Sequence, residues 1–294
     1  MEPDNLPAAQ ARMGLSFPTS LDSTIKDALS HPQFSGYFET ASCEKSDIQK
    51  DLLPLAREFS KSPISGFKVG AVALGKSGNC YLGANMEFTG VPLHASLHAE
   101  QSAVINAWMH GESALQALYV SETPCGHCRQ FLVELHGAVE LRLIVNGVAR
   151  KLGELLPEPF AQKRPRGNSL LDSPAKGLVN IHKESRNHSQ RAINAASRSY
   201  SPYSQSPEGF IIETINGLHF AGRTAESIAF NPSVPAVVAA LNQLNLSAQR
   251  KVSISRCTHA RLATALTHSA AFSEALLLGI SKISIETVLM ESAE

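Results

Sequence analysis

The chain has no excess of either charge: 26 Lys and Arg stand against 26 Asp and Glu over 294 residues. A protein that grips a phosphate backbone draws most of its affinity from neutralised phosphates and shows a basic surplus. None is present, so nucleic acid is not an expected partner. The short basic run Lys163, Arg164, Pro165 and Arg166 reads as a solvated linker. No apolar run approaches the ~20 residues that span a bilayer. The first residues, Met1, Glu2, Pro3, Asp4 and Asn5, lack the basic and apolar regions of a signal peptide. The expectation is a soluble, cytoplasmic protein with no membrane partner. Cysteine is also scarce, at five residues. In that compartment thiols stay reduced, and a close cysteine pair more often binds metal or catalyses than forms a disulfide. Cys43, Cys80 and Cys257 are therefore expected as unpaired thiols.

With 43% hydrophobic and 18% charged residues, there is ample material for a core. The length favours two domains. Residues 1–46 read as a small helical segment, with Leu21, Ile25, Ala28 and Leu29 on one helical face. Residues 47–156 alternate between patterns. A helix is expected at Ile48–Ala56 positions, strands over 68–74 and 80–84, and a helix over 99–110 with Ala99, Ala103, Val104, Ala107 and Trp108 as its stripe. A strand over 118–120, a helix over 126–136 and a closing strand over 141–145 follow. This alternation predicts a layered α/β fold. Residues 157–189, rich in proline and polar side chains, read as a linker outside any core.

Residues 190–294 repeat what precedes them. A displacement of 139 positions lays Ser62 on Ser201, Pro63 on Pro202, Ser65 on Ser204, Gly70 on Gly209, Gly83 on Gly222 and Glu87 on Glu226. After a six-residue deletion, a displacement of 133 lays Ala103 on Ala236, Val104 on Val237 and Ala107 on Ala240. That register sets Asn231 at His98, Ser233 at Glu100, Ser206 at Phe67 and Thr224 at Asn85. The second copy is thus expected to lack metal and base and to serve as packing surface.

The chemistry concentrates in His98-Ala99-Glu100 and, 27 residues after the histidine, Cys125-Gly126-His127-Cys128, preceded by Pro124. One His and a Cys-x-x-Cys pair supply three ligands of the type zinc prefers, leaving a tetrahedral position for water, as in catalytic sites. Helices starting near His98 and Cys125 would aim positive dipole ends at that cation and stabilise thiolates. Pro124 suits such a helix start. Two thiolates make the centre formally neutral, so a neighbouring base is needed. Glu100 is placed to take a proton from water, hand it to ring N3 of a cytosine, and protonate the departing amino group. The pattern matches the general zinc-deaminase signature.

Other readings of these residues exist. A redox Cys-x-x-Cys does not explain the upstream His-x-Glu. Haem attachment needs His after the second Cys, where Arg129 stands. A structural zinc site would need His127 as fourth ligand, yet its position between two ligands on a helix start turns it away. His94 lies off the motif's spacing and reads as a surface residue. Alone, Asn85 and Glu87 would be ordinary loop polar residues, and Phe67 a core or a stacking residue.

Together with the zinc motif, Ala84-Asn85-Met86-Glu87-Phe88 and His98-Ala99-Glu100-Gln101-Ser102-Ala103 make the chain resemble the cytidine deaminase family, in its long, homodimeric form. The resemblance covers nearly the whole chain. It implies two layered α/β/α domains, each a mixed sheet flanked by helices, plus the N-terminal helical segment. It implies one zinc ion per chain, a small nucleoside as substrate, and a homodimer. It also implies that Asn85, Met86 and Glu87 form the substrate-binding segment, with Asn85 and Glu87 at the ribose 3′-hydroxyl. Phe67 would stack on the pyrimidine, the Ala99 backbone would contact the base, and Phe160 would reach the partner's site. A carboxylate at the 3′-hydroxyl would repel a 3′-phosphate, favouring free nucleosides. Two alternatives stay open: a deaminase acting on RNA or DNA, and a zinc-stabilised interaction module.

Overall fold

The computed structural model describes residues 5–44, 46–161, 168–182 and 186–293. The basic run at 163–166 lies outside them. Two short helices open the chain, α1 (Leu6–Met13) and α2 (Ser23–Ser30), each capped by a side-chain oxygen, from Asn5 and Asp22. Strand β1 (Tyr37–Phe38), helix α3 (Thr40–Cys43) and a π-helical turn (Ile48–Leu52) lead into α4 (Leu53–Glu58). The first sheet is built from β2 (Gly70–Gly75), β3 (Cys80–Ala84) and, after α5 (Ala99–Met109), β4 (Leu115–Val120). Helix α6 (Gly126–Leu132) precedes β5 (Arg142–Val145), β6 (Val148–Lys151) and α7 (Leu152–Leu155). The second half holds β7 (Leu178–Asn180), α8 (Asn187–Ser197), β8 (Glu208–Thr214) and β9 (His219–Arg223). It ends with α9 (Ala236–Asn245), β10 (Ile254–Leu262), α10 (Ala270–Leu278) and β11 (Ile285–Ser292). No described helix is long and apolar enough to cross a membrane.

The six-stranded sheet runs β1-β3-β2-β4-β5-β6 and the five-stranded sheet β7-β11-β10-β8-β9. Both are mixed and flanked by helices, as expected. Their cores are one arrangement used twice: β3-β2-β4-β5 corresponds to β9-β8-β10-β11, with one parallel pair each, β4 with β5 and β10 with β11.

The structure corrects the repeat register. His98 precedes α5 and Pro235 precedes α9, so Ala99 lies on Ala236 and Ala103 on Ala240, a displacement of 137 rather than 133. The glycines confirm it. A Cβ on Gly83 would collide with the Ala99 carbonyl and the Ala103 amide, and one on Gly222 with the Ala236 carbonyl and the Ala240 amide. Only glycine allows strand and helix backbones so close. A shift of one helical turn preserves the apolar face, so the sequence pattern fits both registers. His98 and Glu100 therefore correspond to Pro235 and Val237, not to Asn231 and Ser233.

Helix α5 is buried on all sides from Ala99 to Trp108, not along one stripe. One face lies on the first sheet and the opposite face meets α9. The polar residues in that seam are matched: Ser102 Oγ donates to Asn242 Oδ1 at 2.6 Å, and Asn242 Nδ2 donates to the Ser102 carbonyl at 3.0 Å. The second half therefore completes the core around the helix that starts at His98.

Four further expectations change. The N-terminal segment is not a separate appendage, because β1 pairs with β3 and the Gly36 carbonyl accepts from Leu82 N and Asn106 Nδ2. That placement brings Cys43 onto β3, where it forms a disulfide with Cys80 (Cα–Cα 5.9 Å), so these two are not unpaired thiols. Strand β5 does not close the first sheet, since β6 pairs antiparallel beyond it. Residues 157–189 are more than a linker: Leu170 is fully buried in the main core, and β7 pairs with β11. Proline-rich composition reports missing regular hydrogen bonding. It does not report missing burial.

Candidate metal centre and substrate cavity

Two helix starts converge on one point. His98 caps the start of α5, its backbone N–H donating to Gln101 Oε1 at 3.1 Å, while Gln101 Nε2 donates to the Pro232 carbonyl of the second half at 2.8 Å. Cys125 stands at the start of α6. The loop before it is locked by Arg129, which donates to the Pro124 and Leu155 carbonyls at 2.9 and 2.8 Å.

The donor atoms meet at His98 Nδ1 to Cys125 Sγ 3.4 Å, His98 Nδ1 to Cys128 Sγ 3.3 Å, and Sγ to Sγ 3.6 Å. Tetrahedral zinc with ordinary bond lengths needs about 3.6 Å between N and S and about 3.8 Å between two S. The three residues fit the ion. Among the described residues no other group of three His, Cys, Asp or Glu side chains is placed to hold a metal. His127 is not part of this group, and its ring stacks on His98 with centroids 4.9 Å apart.

The two thiols divide their chemistry. Cys125 is held down to about 3, chiefly because Cys128 and then His98 hydrogen-bond to its sulfur. Cys128 is pushed up by that same Cys125 and by burial. His98 is raised, first by its bond to Cys125. Glu100, only 5% exposed, is raised by burial and lies against the Cys128 thiol.

In front of this cluster is a cavity of about 350 Å³, lined by Phe67, Asn85, Glu87, His98, Ala99 and Glu100 among others. Asn85 braces the loop over it: Nδ2 donates to the Phe67 carbonyl at 2.9 Å, and Oδ1 accepts from Ser60 Oγ at 2.6 Å and Val69 N at 2.9 Å. The Glu87 carboxylate accepts from the Ile64 and Ser65 amides, both at 2.9 Å, and from the Ser65 hydroxyl. Its burial acts upward on the carboxyl but is outweighed by these bonds, leaving a net lowering. Phe67 is 53% exposed at the mouth. Met86 is not brought to the cavity: its side chain is buried and its backbone bridges to Leu97. Phe160 is not among the lining residues either; it is exposed and held by Gln130 through its N–H and C=O. His94 likewise lines a neighbouring hollow. Leu93, Ser96, Leu97, Glu122 and Thr123 line the cavity but belong to no motif. The one available signal was position, next to His98 or between a strand end and Cys125.

Family models described as the cytidine and deoxycytidylate deaminase zinc-binding region match residues 46–141 and 152–271. Curated relatives include cytidine deaminases of Yersinia pestis and Yersinia pseudotuberculosis, 48% identical over 206 residues, or 70% of either chain. Similar solved structures include cytidine deaminase from Mycobacterium tuberculosis, 34% identical over 37% of this chain and 90% of that one, with a TM-score of 0.34. Cytidine deaminase from Burkholderia pseudomallei is 31% identical over 37% and 93%, also at 0.34. The paired family matches and the curated relatives, together with the zinc-fitting triad, place the chain in the cytidine deaminase family.

Proposed function

We propose that the protein hydrolyses free cytidine and deoxycytidine to uridine and deoxyuridine with release of ammonia, a step of pyrimidine salvage. The carrying observation is the buried Glu100 carboxyl beside the His98, Cys125 and Cys128 donors at the floor of a nucleoside-sized cavity. Zinc in such a site supplies Lewis acidity that makes water a nucleophile near neutral pH. Glu100 accepts a proton from the attacking water and delivers it to ring N3. It then takes the proton of the hydroxyl added at C4 and passes it to the amino group, which leaves as ammonia while the C4 carbonyl forms. Burial of this residue keeps competing water away from the proton path. Phe67 at the mouth offers a face for the pyrimidine, and the Ala99 backbone reaches the base edge. Asn85 and Glu87 meet the ribose 3′-hydroxyl, and the Glu87 charge disfavours a 3′-phosphate. Free nucleosides are thus preferred over RNA or DNA.

We also read the protein as a cytoplasmic homodimer. Exposed Phe67, Leu93, Phe160 and Phe230 support association of two copies, with Phe160 serving the neighbouring site.

The test is an ultraviolet assay on free cytidine beside a cytosine-containing oligonucleotide, with zinc content measured on the same sample. Turnover of the nucleoside alone is expected. Turnover of the oligonucleotide alone would contradict the reading.

A further inference from the structure

The second half keeps a cavity where the first half has its site. It encloses about 460 Å³, and Ser204, Ser206, Thr224, Glu226, Pro235 and Ser269 are among its lining residues. These stand at the positions of Ser65, Phe67, Asn85, Glu87, His98 and Cys125.

At the rim the chemistry is duplicated. Glu226 accepts from the Tyr203 and Ser204 amides at 2.9 and 3.2 Å and from the Ser204 hydroxyl. Glu87 does the same with Ile64 and Ser65. At the floor the halves part. Glu208, at the position of Val69, accepts from the Ser269 amide at 2.8 Å and the Ser269 hydroxyl at 2.6 Å. Fully buried His259 lies 3.5 Å behind that carboxylate. An internally hydrogen-bonded floor stands where the first half gathers metal donors.

One wall group has no such partner. Thr224 Oγ1 is closed off from solvent and makes no hydrogen bond, so the cavity meets this residue through its other atoms, whereas Asn85 at the same position spends its amide on three. No Lys or Arg lines the cavity, and two carboxylates do. A phosphate would find repulsion there. Tyr203, Phe230 and Val234 add apolar wall.

We propose that this second cavity binds a neutral ribosyl compound of the nucleoside class without transforming it. A ribose hydroxyl donates to Glu226, while the base rests on the apolar wall. Ser206 in place of the Phe67 ring removes stacking, so binding is weaker than in the first half. The assignment of Glu226 rests on the reading of Glu87 as a ribose ligand.

Equilibrium dialysis of radiolabelled uridine against the zinc-loaded full chain tests it. Two molecules per chain are expected, falling to one in Glu226→Gln and in Thr224→Leu, with cytidine turnover retained in both. Thr224→Leu removes no hydrogen bond and adds bulk at the cavity wall, so it guards against misfolding of the first variant. One uridine per chain in all three proteins would overturn the proposal. A chain that binds two uridines, loses one in Glu226→Gln, yet never deaminates cytidine would uphold it and defeat the deaminase reading.

Discussion

The two halves differ less in frame than in floor. Both use the strand order of β3-β2-β4-β5, both bring a helix against a glycine in the neighbouring strand, and both clamp a turn with a glutamate. Yet His98, Cys125 and Cys128 face Pro235, Ser269 and, three residues on, Phe272. Fold and chemistry are therefore separable here: metal ligands are a few side chains placed on a scaffold that persists without them. The second half has its own use. It covers the outer face of α5 and satisfies Gln101 and Ser102 there, which holds the start of that helix in position.

The largest expected break between the halves comes from Cys128→Ala. It should abolish zinc binding and turnover and lower the melting temperature, because metal binding is coupled to folding. Metal analysis and calorimetry read it. Phe272→Ala, at the matching position, should leave zinc content unchanged.

Next is Glu87→Gln, which should lower kcat/KM for cytidine by roughly 10- to 100-fold, the equivalent of losing a charged hydrogen bond of ~1.5–3 kcal/mol. Steady-state kinetics on cytidine checks it, and Glu226→Gln is the control.

Gly83→Ala and Gly222→Ala should each destabilise by ~1–3 kcal/mol through overpacking, measured by denaturant unfolding. Gly83→Ala should also reduce turnover, and by more than Gly222→Ala, since it displaces directly the turn of α5 that carries Ala99 and Glu100.

The smallest effect concerns acid. Burial acts upward on Glu208, but His259 and Ser269 outweigh it, and its carboxyl lies below the ordinary value of 4.5. A carboxyl lowered on folding contributes stability above its unfolded value and loses it as pH falls through the folded one. Glu208→Gln should therefore lower the melting temperature at neutral pH and flatten its decline below about pH 4.5. A melting series across pH would contradict this if the two proteins ran parallel.

Much of this was legible in the sequence, for reasons that differ by residue. His98, Cys125 and Cys128 announce themselves because ligand type and helix-start spacing are local properties. The layered fold followed from alternating periodicities. The repeat was visible too, but only structure distinguishes a displacement of 133 from 137, since both keep one helix face inward. Long-range events left no local trace: β1 joining the first sheet, Cys43 meeting Cys80, and Leu170 entering the core. Met86 stands between Asn85 and Glu87 in sequence, yet alternation along an extended segment turns it to the opposite side. Leu93, Leu97 and Glu122 reach the cavity through the fold alone.

The most direct measurement is zinc content together with cytidine turnover for Glu100→Gln in the full chain. The ion should be retained at one per chain while the rate falls by a factor of ~10²–10⁴ or more. A variant that keeps its zinc and turns over cytidine at the parent rate would remove Glu100 from the chemistry, and the proton path proposed for this site with it.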